Sequence, residues 1–197
     1  MAIDERELQF DHDDPLIGWR IFRVRPSAEV ITLSAPLIHD PGFEEFPSRT
    51  IRATCYEQRH HAPAPGCRCG LYAEIEGTLD SLSGYLIDSA HDPDPAIYAE
   101  VACTGRVFID FRGVRAEQLE ILRLATSDAL WPNYEFAGQA VPSLAKRYGV
   151  DVVDLGAMPT WVLANALPQG PPSPGVTLDL DALLTRLNLR SKQARAQ

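Results

Sequence analysis

Ile17-Gly18-Trp19-Arg20-Ile21-Phe22-Arg23-Val24-Arg25 interleaves apolar and basic side chains from Trp19 onward, which is the texture of a β-strand rather than a helix. Trp19 and Phe22 stand three apart, so a regular strand turns them to opposite sides. The segment therefore needs either a bulge or burial on both faces. Pro26-Ser27 makes a turn, and Val30-Ile31-Thr32-Leu33 reads as the hairpin partner. Further along, Ile97 to Phe111 carries Val101, Cys103, Val107, Ile109 and Phe111. It reads as one long strand, or as two bent at Thr104-Gly105. Arg49 to Thr54 and Val150 to Leu155 read as shorter strands, and Leu119 to Leu124 either continues as strand or coils into a helix.

Helical spacing is found elsewhere. Leu71, Ile75, Leu79, Leu82 and Leu86 recur at intervals of three and four, which predicts an amphipathic helix weakened at Gly77 and Gly84. Trp131-Pro132-Asn133-Tyr134 reads as a loop, with Trp131, Tyr134 and Phe136 closing the core. A short helix from Ser143 to Tyr148 stops at Gly149, a favoured residue just past a helix end. Leu178 to Leu189 is again helical in pattern, with Asp179 and Asp181 near its start and Arg186 and Arg190 near its end, charges that suit the helix dipole.

Together these elements predict an α+β fold, a mostly antiparallel sheet or open β-barrel with a few flanking helices. The expected organisation is an acidic flexible leader over 1–14, a single α+β domain over 15–167, a proline- and glycine-rich linker over 168–176, and a C-terminal helix with a basic tail over 177–197.

Composition narrows the classes of function. A chain of 197 residues is long enough to bury a sizeable core. Its 45% hydrophobic and 23% charged content is ordinary for globular domains. A formal net charge of -9 opposes general nucleic-acid binding, which depends on neutralising phosphates with Lys and Arg, and equally opposes an anionic membrane surface. Lys146 and Lys192 are the only lysines, a bias that reads as a GC-rich genome. The acidic start lacks the apolar core of a secretory signal, and no apolar run is long enough to span a bilayer. A cytoplasmic protein is expected, in which cysteines are thiols or metal ligands rather than structural disulfides.

Three of the four cysteines fall between Cys55 and Ala73, in C-Y-E-Q-R-H-H-A-P-A-P-G-C-R-C-G-L-Y-A. Thiolates and imidazoles are the ligands zinc prefers, four to a structural site. Cys55, Cys67 and Cys69 with His60 or His61 would make such a set. Pro63 and Pro65 restrict the loop before it is ordered, and Gly66 and Gly70 let the backbone bend around an ion. The one-residue gap between Cys67 and Cys69 is tighter than the usual two. Buried, metal-free thiols beside a proline-rich loop are the plain alternative, and a redox pair is a third. Cys103, in an apolar strand, reads as a small buried hydrophobe.

The same stretch resembles a group of small uncharacterised proteins of GC-rich bacteria, of actinobacterial type, that share a C-x4-H-x-A-P-x3-C-x-C-G-x-Y-A motif. Gly18-Trp19-Arg20, Thr104-Gly105-Arg106-Val107 and Gly113-Val114-Arg115-Ala116-Glu117 look like further segments of that group, so the likeness runs from about Gly18 to Leu122. The resemblance implies a shared fold and the choice of His60 over His61 as the fourth ligand. It implies no activity.

No nucleophile elbow, phosphate-cradling glycine loop or dinucleotide fingerprint is present. Arg115 and Glu117 read as an ion pair at a strand end, and His91-Asp92-Pro93-Asp94-Pro95 as a solvated turn. No catalytic residue is therefore assigned. The expectation is a non-catalytic binding or accessory protein that recognises a peptide or protein partner, such as a precursor peptide in a natural-product pathway. Its Cys/His knuckle would hold a structural zinc ion. The alternatives are a metal- or thiol-dependent enzyme built on the same knuckle, and a homo-oligomer, such as a homodimer, formed through the C-terminal helix.

Overall fold

A computed structural model of the chain describes residues 6–26, 31–35, 45–55, 57, 60–75, 95–110, 113–127, 130–131 and 134–156. Among them are nine strands and one helix: β1 (Arg6–Phe10), β2 (Leu16–Pro26), β3 (Ile31–Ser34), β4 (Glu45–Phe46), β5 (Thr50–Arg52), β6 (Leu71–Ala73), β7 (Ala96–Asp110), β8 (Gly113–Thr126), α1 (Tyr134–Tyr148) and β9 (Asp151–Asp154).

β7 and β8 form a long antiparallel hairpin at the centre of the sheet. Their Val, Ile, Leu and aromatic residues suit a pleated, buried surface. The ladder slips between Glu100 and Val101 and again between Thr104 and Val107, so the bend expected at Thr104-Gly105 is a real irregularity within one strand. Gly105 sits there at a φ of 75°, a conformation that favours glycine.

Each hairpin strand has one outer edge, and both edges are filled piecewise. β7 pairs with β2 along its first half and with β1 along its second. β8 takes β6 at residues 114–116, β5 at 118–120 and β9 at 123–126, end to end. Only the β8–β9 pairing is parallel, and it follows from the helix that carries the chain back along the sheet. β3 and β4 extend the sheet beyond β2. Where β6 ends, Trp19 and Glu74 exchange two backbone hydrogen bonds of 2.7 Å. This contact draws β6 towards β2 at one point. It is a single bridge and not a ladder, so among the described residues the architecture is a mostly antiparallel open sheet, and a barrel is not shown.

β2 keeps a regular register with β7 from Leu16 to Arg23 and buries Trp19 and Ile21 as well as Phe22 and Val24. Two-sided burial, not a bulge, thus resolves the Trp19–Phe22 spacing. Phe22 meets Phe46 edge to face at 5.6 Å between ring centroids. Helix α1 buries Ala140, Leu144 and Tyr148, four residues apart, against the main core. The Tyr148 hydroxyl accepts from Leu33 N at 3.0 Å and donates to Phe46 O at 2.6 Å, which fastens the helix end to β3 and β4. Gly149 ends the helix at a φ of 63°, as its sequence position suggests.

Three expectations need correcting. Residues 6–10 of the acidic start are strand β1, held by β7, because a sheet edge offers their backbone partners whatever their side-chain charge. Leu71–Ala73 is strand β6, not a helix start: Leu71 and Ala73 are buried and Tyr72 is exposed, a period of two. Glu74 is a bridge residue, and residues 76–86 of that predicted helix lie outside the described residues. α1 begins at Tyr134 rather than Ser143, despite Pro142 in its interior. Of the two alternatives left open for Leu119 to Leu124, the strand is the one adopted. His91 to Pro95 lies almost wholly outside the described residues, and so do the linker and C-terminal helix; of residues 134–136 only the backbone is described. No helix among the described residues is long and apolar enough to cross a membrane.

Candidate metal centre

The knuckle exists because of what flanks it. Arg52, at the end of β5, pairs with Gln118, and Leu71, at the start of β6, pairs with Ala116. Two residues of β8, about 7 Å along a strand, separate those anchor points. Ala53 N donates to Glu117 O at 2.8 Å and extends the first ladder by one step. The chain must therefore leave after Ala53 and re-enter at Leu71 at nearly one place, and the described residues between them lie beside β8. Cys67 N closes a turn onto Ala64 O at 3.2 Å, and the Tyr72 hydroxyl donates to Arg68 O at 2.5 Å. Gly70 lies at a φ of 128°, where a Cβ would come within 3.1 Å of both the Arg115 and Pro63 Cβ atoms. Both backbone conformation and space require glycine there.

This path brings Cys55, His60, Cys67 and Cys69 together, with their ligand atoms all within 4.8 Å of one another. Cys55 Sγ lies 3.5 Å from His60 Nε2 and 3.9 Å from Cys67 Sγ. Cys69 Sγ lies 3.9 Å from His60 Nε2. All the cysteines are free thiols, and 3.9 Å is far outside a disulfide bond. A tetrahedral ion with metal–sulfur bonds of about 2.3 Å and a metal–nitrogen bond of about 2.0 Å would hold its sulfurs about 3.8 Å apart and sulfur and nitrogen about 3.5 Å apart. These three edges fall close to those lengths and the remaining ones lie within 4.8 Å, so these residues could hold a metal ion. Three sulfurs and one imidazole nitrogen form the donor set, with no carboxylate in the cluster.

His60 is oriented for this role. Its Nδ1 lies 3.1 Å from the carbonyl of His61. An Nδ1–H donated there leaves Nε2 as the free donor facing Cys55, the arrangement usual for metal-binding histidines. His61 is exposed, so the choice between the two histidines falls on His60.

Two arginines of the central hairpin hold the knuckle from outside. Arg115, buried on β8, donates from Nη1 to Cys67 O and, at 2.8 Å, to Cys69 O. Its guanidinium lies 5.1 Å from the centroid of the Phe108 ring. Arg106, on β7, donates from Nη2 to His61 O at 2.8 Å. The carbonyls of two cysteine ligands, and the carbonyl that orients His60, are thus all fixed by cations from the sheet.

The apolar support of the knuckle is slight. Cys55, Ala62 and Cys67 form a small buried cluster with Ala53, Ala64 and Cys69 against it, separate from the main core. Burial, reinforced by hydrogen bonding to Cys67, pushes the Cys69 thiol up to about 12. The Cys69 thiol therefore holds its proton tightly, and a bound cation is what would displace it. Cys103 lies apart from this cluster, fully buried within the main core.

The sequence reading named all four residues that the fold brings together and missed both arginines. Arg115 was assigned to a pair with Glu117, yet it reaches Cys67 and Cys69, while Glu117 Oε2 accepts from Arg106 N at 3.2 Å. Local spacing carries no signal of these contacts, which cross 45 to 48 positions. The one hint was the cluster of arginines around the glycines at 105 and 113. Trp131 is buried, as expected of a core residue. No protein-family model matches the chain, and neither does any curated protein or solved structure.

Proposed function

We propose that the protein is a non-catalytic, cytoplasmic binding module for a peptide or protein partner, with a structural zinc ion at Cys55, His60, Cys67 and Cys69. The observation that carries the zinc reading is the closed donor set. Four protein ligand atoms lie within 4.8 Å of one another, three of their separations close to the tetrahedral lengths, whereas catalytic zinc sites keep one position for water or substrate. A soft set of three sulfurs and a nitrogen suits zinc rather than magnesium or calcium. Partner binding is supported by the sheet margins: among the described residues β4 and β5 each pair with one neighbour, and an extended peptide can add to such an edge. Kinship with the actinobacterial-type group remains part of this reading and supplies no activity.

Elemental analysis of tag-free protein, followed by panning of a displayed peptide library on the same preparation, tests both parts. About one zinc per chain, absent from Cys67→Ser, and enriched peptides that protect β4 or β5 amides from hydrogen exchange are expected. Metal-free protein sinks the structural site. Enrichment no greater than on an unrelated protein sinks the binding role.

A further inference from the structure

We infer that Arg115, assisted by Arg106, is the positioning residue that sets how tightly the knuckle holds its metal. The inference rests on the zinc reading of the four-ligand cluster and adds a role for two residues outside it.

Charge gives the first reason. A divalent ion bound by three thiolates and a neutral imidazole carries a single net negative charge. The half-apolar pocket around Cys55, Ala62 and Cys67 screens that charge poorly, since unpaired charge away from water is costly. Arg115 is itself buried, and its guanidinium stays protonated in proteins. It stands on the sheet side of the site with Nη1 on Cys67 O and Cys69 O. Arg106 approaches through the His61 carbonyl. Two permanent cations thus face an anionic centre across one peptide unit each.

Geometry gives the second reason. Cys67 and Cys69 are separated by one residue, so both sulfurs can point at one ion only if Arg68 is turned away from it. Arg115 binds the carbonyls on both sides of that residue, and Tyr72 binds the carbonyl of Arg68 itself. The backbone of the narrow cysteine pair is therefore set before an ion arrives. A ligand pair held in its bound arrangement loses less freedom on binding. The His61 carbonyl does the same for the imidazole, accepting from Arg106 while it faces His60 Nδ1.

Zinc affinity measured by competition with a chromophoric chelator, on the full chain, tests the assignment. Arg115→Gln should bind zinc about 10- to 100-fold more weakly, the usual cost of losing a partner that orients metal ligands. Arg115→Lys should recover part of that loss, because an ammonium offers donors and charge without the planar fork. Cobalt-loaded Arg115→Gln should also lose intensity in the visible bands of a tetrahedral ion, since the cysteine sulfurs are no longer held in place. Affinity within about twofold of the parent, with unchanged cobalt bands, overturns the inference even if the variant melts earlier. If Arg115→Gln does not fold, Arg106→Gln carries the test from the exposed side, with a several-fold loss expected and parental affinity fatal. A parent protein that takes up neither zinc nor cobalt overturns the zinc reading and this inference together. A metal-binding parent with an indifferent Arg115→Gln overturns this inference alone.

Discussion

Cys103 and Cys69 both have thiols pushed up to about 12, yet they report two different ways of holding a chain together. Cys103 sits in β7 among the fully buried residues of the main core. Burial alone raises it, with a small opposing pull from Arg20. There the sulfur acts as one more hydrophobe, and its neighbours would hold the strand without it. Cys69 stands half-buried at the edge of a cluster with only three alanines for apolar company. Burial is the first cause of its shift, and unlike Cys103 it has neighbouring thiols, Cys67 and Cys55, that raise it further. The hairpin is held by packing, whereas the knuckle has too little packing to order a loop of prolines and glycines and needs cross-links instead: an ion inside and arginines outside.

The sharpest break between the two regions should come from removing metal. Apparent binding energies for structural zinc in small peptides run to about 10 kcal/mol or more, well beyond what three alanine side chains can replace. Chelation of the zinc-loaded protein should abolish hydrogen-exchange protection at Cys67, whose amide closes a turn within the knuckle. Protection along β7 and β8 should remain largely intact. Collapse of both regions together would show that the knuckle is part of the core and that the comparison is false.

The converse change is made in the hairpin. Leu119 is fully buried on β8, opposite Cys103 on one side and Ile51 on the other. Leu119→Ala should cost about 2–5 kcal/mol through lost contacts and the cavity left behind, measured by urea denaturation. Zinc stoichiometry should not change, because no ligand and neither arginine is touched. A Leu119→Ala protein that folds but loses its zinc would mean that the ion depends on core packing.

What could be read in advance follows the same division. β2, the bend in β7 and the end of α1 at Gly149 are local matters of alternation and backbone preference, and they were legible. The four ligands were legible too, since ligand chemistry is written in residue type and the loop gathers them within fifteen positions. β6 was not, because three residues carry too few side chains to separate a period of two from one of 3.6. β1 was not, because it is short and polar, with only Leu8 and Phe10 apolar, and the acidic residues on either side of it masked a backbone that only needed an edge to pair with. Arg106 and Arg115 were invisible for a third reason. Their partners are main-chain carbonyls across the fold, and a carbonyl has no signature in a sequence.

The smallest expected effect separates the two thiol environments by pH. Cys103 keeps its proton in the folded chain up to about 12, while a free thiol in the unfolded chain releases its proton near about 8.5. The folded pKa is the raised one, so its stabilising effect is fully present below about 8.5 and fades as pH climbs towards the folded value, the unfolded state then binding fewer protons. Between pH of about 8.5 and 9.5 this should remove about 1 kcal/mol from the stability of the parent. Cys103→Ala, which cannot titrate, should start somewhat less stable through lost burial but decline more gently over that interval by the same amount. Both chains are compared zinc-loaded, so that the knuckle thiolates are held by metal and contribute equally to each. Parallel declines would mean that Cys103 ionises in the folded protein. The core would then tolerate a charged sulfur, which on the packing account only the knuckle, with its ion and its arginines, is built to hold.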